Sequence, residues 1–80
     1  MALELQQLRQ VVALAEHRSF VRAAAALHIS QPALSRSIQN LERQFGSELF
    51  LRSSVGVVPT DLGRLYVARA RDLLRMADDL

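Results

Sequence analysis

The chain has no cysteine and no lysine. Without cysteine neither a disulfide nor a thiolate metal site can staple the fold, which fits a reducing compartment and leads us to expect the cytoplasm. With two histidines and no cysteine, a metal centre is not expected either. No apolar run is long enough to span a bilayer, and no basic flank precedes an apolar stretch near the start, so neither a membrane helix nor a signal peptide is expected. Internal repeats and low-complexity linkers are absent. Because every cation is arginine, the sequence pI of about 10.4 exaggerates a net charge of only +2. Residues 17–41 hold no carboxylate at all. This gap contains Arg18, Arg22 and Arg36, while the segment from residue 61 onward balances four arginines with four aspartates. Positive charge is therefore localised on a nearly neutral protein, an arrangement that suits a polyanion.

What is present is half hydrophobic and 80 residues long, enough for one small domain with a thin core. Residues 3–16 place Leu5, Leu8, Val12 and Ala15 at helical spacing, widened by Val11 and Leu14, with Gln6, Gln7, Arg9 and Gln10 on the expected wet side. Ser19 is placed to cap a short alanine-rich helix over about residues 20–27. "HIS" at 28–30 is a break. Ser30 caps the next helix, Pro32 falls in its first turn, and Ile29 with Leu34 matches a hydrophobic staple. That helix should run to about Gln44 with Leu34, Ile38, Leu41 and Phe45 buried, ending at Gly46. Two short β-prone runs flank a Ser-Ser-Val-Gly turn and predict a hairpin over 49–58, closed by Pro59. Thr60 caps a last helix. Its stripe of Tyr66, Ala70, Leu73, Ala77 and Leu80, extended back to Leu62, has more apolar surface than one contact needs, so part of it is expected to meet a second helix.

The layout is mainly α: a winged helix-turn-helix of three helices and a small β-hairpin wing over 1–59, followed by a long linker or dimerisation helix over 60–80. In that geometry the helix after the turn enters the DNA major groove. Its outer face would present Gln31, Pro32, Ser35, Arg36 and Gln39. Glutamine can pair with adenine and arginine with guanine, serine can bond bases or phosphates, and Pro32 can meet a thymine methyl. Ordinary wet helix faces favour Glu–Lys pairs, and this one has none. On the wing, Arg52 can reach phosphate or a narrow minor groove, with Ser53 beside it as a backbone contact. Arg22 lies in the same acid-free segment and joins the candidate DNA-binding set.

The ordered pattern "SF..AA..LH.SQPALSR.I..LE...G..LF.R", followed by "T..G", resembles the N-terminal DNA-binding domain of LysR-type transcriptional regulators over essentially the whole chain. The resemblance implies double-stranded DNA as the partner, at imperfectly palindromic promoter sites. It also implies a homodimer through the last helix, with the full-length protein binding as a dimer or a tetramer. A small-molecule effector would bind a larger downstream domain, with no cofactor in this chain. Gln31, Pro32, Ser35 and Arg36 match the family's recognition helix, and Arg52 its wing arginine. Three positions depart. Arg18 stands where the family often has glycine, so the turn before the second helix is expected to differ in shape. Pro59 replaces a usual leucine and Leu62 a usual alanine, both near the start of the linker helix.

An enzyme would need a nucleophile motif, a phosphate loop or paired carboxylates, and none appears; His28 reads as a turn residue. A winged-helix protein-interaction or RNA-binding module is compatible with the fold alone. A membrane-surface role for the last helix is disfavoured by its balanced charge.

Overall fold

The computed structural model describes residues 4–79. The elements follow the order α1 (Leu5–His17), α2 (Phe20–Leu27), α3 (Gln31–Phe45), β1 (Phe50–Ser53), β2 (Gly56–Pro59) and α4 (Asp61–Asp78). The strands form an antiparallel hairpin in which Phe50 pairs with Pro59 and Ser53 with Gly56. This is the expected winged helix-turn-helix with a long terminal helix.

Local chemistry sets most boundaries. The Ser19 hydroxyl accepts from the Arg22 N–H, Ser30 from Ala33 and Thr60 from Gly63, so three helices begin on a side-chain cap. Gly46 ends α3 in the left-handed conformation. Two non-glycine residues do the same job: Arg18 (φ 57°) after α1 and His28 (φ 59°) after α2. The turn at Arg18 was expected to change shape for want of glycine. Instead the arginine itself adopts the left-handed conformation, and its N–H still closes on the Leu14 carbonyl. That conformation costs an L-residue about 1–2 kcal/mol. The Arg18 carbonyl then accepts from the Val57 N–H at 3.0 Å, tying the wing to the end of α1. Gly56 makes that approach possible: a Cβ there would lie 2.7 Å from the same carbonyl.

The core joins Val11 and Leu14 of α1, Ala23 and Ala24 of α2, and Leu34, Ile38 and Leu41 of α3 to Leu49, Phe50, Val57 and Val67. The alanines let α2 cross its neighbours closely. Helix α1 is central, touching α2, α3, α4 and β2. This position explains one departure from its sequence pattern. Gln10, expected on the wet face, is 7 % exposed, and its side-chain carbonyl accepts from the Ser37 hydroxyl of α3. Leu5, by contrast, is exposed. Phe45 is a second correction. It is 45 % exposed rather than buried, and it packs edge-on against Tyr66 with ring centroids 5.2 Å apart.

The first turn of α4, capped by Thr60, can lie against the strand entry because Gly63 has no side chain. A Cβ at Gly63 would sit 1.9 Å from the Leu49 carbonyl oxygen. That carbonyl already receives the Thr60 N–H, and the Thr60 hydroxyl donates to the Glu48 carbonyl. The first turn of α4 is thereby pressed onto the strand entry. Farther along, Arg9–Asp78 at 3.6 Å and Arg71–Glu16 at 3.7 Å link α4 to α1. Both pairs are exposed and contribute little in salt.

Candidate nucleic-acid interface

Helix α3 buries Leu34, Ile38 and Leu41, which turns Pro32, Arg36 and Gln39 outward and leaves Gln31 and Ser35 at the edge of the buried stripe. Pro32, Arg36 and Gln39 are exposed, while Gln31 and Ser35 are half-buried. The Gln31 amide donates to the Ser35 hydroxyl at 3.0 Å. That bond holds the two side chains together and leaves the Gln31 carbonyl and the Ser35 O–H available. The Ser30 cap satisfies one free N–H of the first turn, and the positive helix end stands beside these residues.

The face has two flanks rather than one cluster. Ser35 and Gln39 border a groove of about 380 Å³ between α3 and the wing, shared with Phe20, Leu51 and Arg52. Arg36 borders the other flank, in a groove with Glu4, Gln7 and Asn40. The gap in acidic residues is therefore a property of the sequence more than of the surface, since Glu48 lines the first groove and Glu4 the second. Arg43, exposed one turn beyond Gln39, adds a cation to the same face and donates to the Asn40 side chain. The sequence reading missed it, although its helical spacing from Arg36 and Gln39 was visible.

The wing's alternation decides what each of its residues can do. Phe50 and Arg52 point to the inner face and Leu51 to the outer. Phe50 is buried, but Arg52 lies one step beyond the edge of the core, and its guanidinium rests over the Phe20 ring, 4.4 Å from the centroid. Ser53 spends its hydroxyl within the turn, donating to the Gly56 carbonyl and accepting from the Val55 N–H. Its role is to shape the wing rather than to offer a free donor. Arg22 is exposed on the side of α2 away from buried Ala23 and Ala24.

Glu42 also proves to be more than the residue that ends the acid-free segment. Its Oε2 accepts from the Leu49 N–H at 2.7 Å and the Phe50 N–H at 3.2 Å. One carboxylate on α3 thus fixes the start of β1, and with it the angle between recognition helix and wing.

On α4 the expected pairing stripe divides. Ala70 is 1 % exposed and closes against the domain, and Leu62 and Tyr66 pack on the core. Ala77 is half-buried. Of that stripe Leu73 stays exposed, and Leu80 lies outside the described residues. The free apolar face is instead Leu65, Leu73 and Met76, at 54, 37 and 64 % exposure.

An outward-facing polar helix after a tight turn, a wing carrying an arginine, and a long helix with a spare apolar face define a winged helix-turn-helix module of the kind that reads nucleic acid. The family model for "Bacterial regulatory helix-turn-helix protein, lysR family" matches residues 5–64. The chain is 48 % identical over 79 residues to the uncharacterized HTH-type transcriptional regulator YnfL of Escherichia coli (strain K12), covering 99 % of this chain and 27 % of that protein. It is 55 % identical over 71 residues to the SDS degradation transcriptional activation protein of Pseudomonas sp. (strain ATCC 19151), covering 89 % of this chain and 23 % of that one. Among solved structures, BenM_DBD in complex with catB site 1 DNA superposes with a TM-score of 0.91 at 44 % identity, over 96 % of this chain and 86 % of that one. The chain belongs to the lysR family of bacterial regulatory helix-turn-helix proteins. It corresponds to a DNA-binding domain of regulators, not to an enzyme, and spans roughly a quarter of the length of these two curated relatives.

Proposed function

We propose that this chain binds double-stranded DNA sequence-specifically, with α3 in the major groove and the wing against the backbone or minor groove. The carrying observation is the outer face of α3, where Pro32, Arg36 and Gln39 stand away from a fully buried Leu34–Ile38–Leu41 stripe, with Gln31 and Ser35 along its edge. Gln31, Ser35, Arg36 and Gln39 are the base-reading candidates, with Pro32 as an apolar contact and Arg52 and Arg22 as backbone contacts. The similarity to a domain solved on DNA supports this reading. Residues 1–59 act as the reading head and 60–80 as the linker. The exposed face of Leu65, Leu73 and Met76 joins two copies, so that two heads address an imperfectly palindromic promoter site. In the longer regulator, a cytoplasmic protein that assembles as a dimer or a tetramer, a downstream domain would take the small-molecule effector. Among the described residues no helix is long and apolar enough to cross a membrane.

Affinity measured against salt on duplex DNA and on RNA of the same sequence tests the proposal. If each protomer neutralises about three or four phosphates, the slope of log K against log salt for a dimer on duplex DNA is about −5 to −7. Equal affinity for RNA at every salt concentration would favour an RNA-binding role instead. A salt-independent failure to bind DNA would point to a protein-interaction module.

A further inference from the structure

The wing arginine is not a loose surface side chain. Arg52 is exposed, yet its guanidinium lies 4.4 Å above the Phe20 ring at the start of α2. Both residues border the groove that Ser35 and Gln39 border from α3. The ring is itself held in place. Phe20 packs against the core, and Ser19 caps the helix turn from which it projects. The strand carrying Arg52 is fixed as well: Glu42 anchors its first residues, and Val57, the register partner of Arg52, donates its N–H to the Arg18 carbonyl. A long arginine side chain between two fixed elements would otherwise sample many rotamers, and immobilising it on DNA would cost conformational entropy. A guanidinium over an aromatic face is attracted by the ring quadrupole while its edge N–H groups stay free for phosphate or a groove acceptor.

We propose that Phe20 is a positioning residue for DNA binding: its ring holds the Arg52 guanidinium over the groove between wing and recognition helix before DNA arrives. Phe20 touches no base in this scheme and acts only through Arg52. The inference rests on the DNA-binding reading above and adds a residue that the pattern of outward polar side chains does not reveal.

The test is a double-mutant cycle on the 80-residue chain with a short mixed-sequence duplex at low salt. Mixed sequence suffices, because a backbone contact is sequence-independent. Phe20→Leu keeps an apolar side chain against the core and removes the ring. It is expected to weaken binding about two- to five-fold in the wild-type background and to have no further effect in an Arg52→Ala background. Phe20→Tyr retains the ring face and should restore binding. In the free protein, the Arg52 side-chain protons should be shifted upfield by the ring current, and Phe20→Leu should abolish that shift. Thermal melts identify any variant that loses its fold, and the ring-current measurement on the wild-type chain stands independently of them. Equal losses in both backgrounds, or Arg52 protons at ordinary shifts in the wild-type chain, would overturn the inference while leaving DNA binding intact. A wild-type chain that fails to bind the duplex would overturn the DNA-binding reading, and this inference with it.

Discussion

Replacing Glu42 separates two roles that act in opposite directions. Glu42 sits on α3, and its carboxylate accepts the Leu49 and Phe50 N–H groups at 2.7 and 3.2 Å. Hydrogen bonds to a charged group contribute about 1.5–3 kcal/mol each, and a buried donor left unsatisfied costs about 1–3 kcal/mol. Leu49 and Phe50 are buried residues, but Glu42 is only half-buried, so water can replace part of what is lost. Glu42→Ala should therefore destabilise the fold by about 2–4 kcal/mol, and Glu42→Gln, which keeps a neutral acceptor, by about 1 kcal/mol. Urea unfolding measures this as a shift in midpoint at constant slope. The effect on DNA is the sharper readout. Removing a carboxylate near phosphates would tighten binding if charge alone mattered. Loosening the joint between helix and wing would weaken it. We expect Glu42→Gln to remain folded and to bind more weakly. Tighter binding, or a Glu42→Ala cost below about 0.5 kcal/mol, would refute the anchoring role.

Four further outcomes follow from the geometry. Gly63→Ala should destabilise by about 1–3 kcal/mol, because its methyl would collide with the Leu49 carbonyl; helix propensity alone predicts stabilisation, so the sign of the melting shift decides. Leu65→Asp should leave a folded monomer by sedimentation equilibrium at concentrations where the wild-type chain is a dimer. Ala70→Asp should unfold the chain, because Ala70 is buried within the protomer. Burial raises the Tyr66 phenol above its ordinary value of 10.0. Folding therefore favours its protonated form, and this contribution is intact below pH 10 and lost as pH rises through the higher folded-state value. Tyr66→Phe should flatten the alkaline limb of stability against pH.

Features encoded within a few residues were legible in the sequence. Ser19, Ser30 and Thr60 cap the helices they precede, Pro32 sits in a first turn, and Gly46 closes α3, because each acts on backbone groups no more than a turn away. The reading helix emerged from the same local signals. Features that depend on which neighbour presses on a helix were not legible. Gln10 looked like a surface glutamine until α3 brought Ser37 to it. The free apolar arc on α4 differs from the expected stripe because Ala70 closes against the domain, which leaves Leu65 and Met76 outside. Phe20 and Glu42 carry no local signal of their roles. Their relations to Arg52 and to the strand entry cross from one element to another.

The central claim is that the outer face of α3 reads base sequence. The most direct measurement compares wild type and Arg36→Ala on a duplex selected by the wild-type chain from a random pool, and on mixed-sequence DNA. Arg36 is exposed on that face. The account predicts a loss of about 1–3 kcal/mol on the selected duplex, relaxed preference at one base position, and a much smaller loss on mixed sequence. Equal weakening on both would confine Arg36 to phosphate, and no weakening on either would contradict the account.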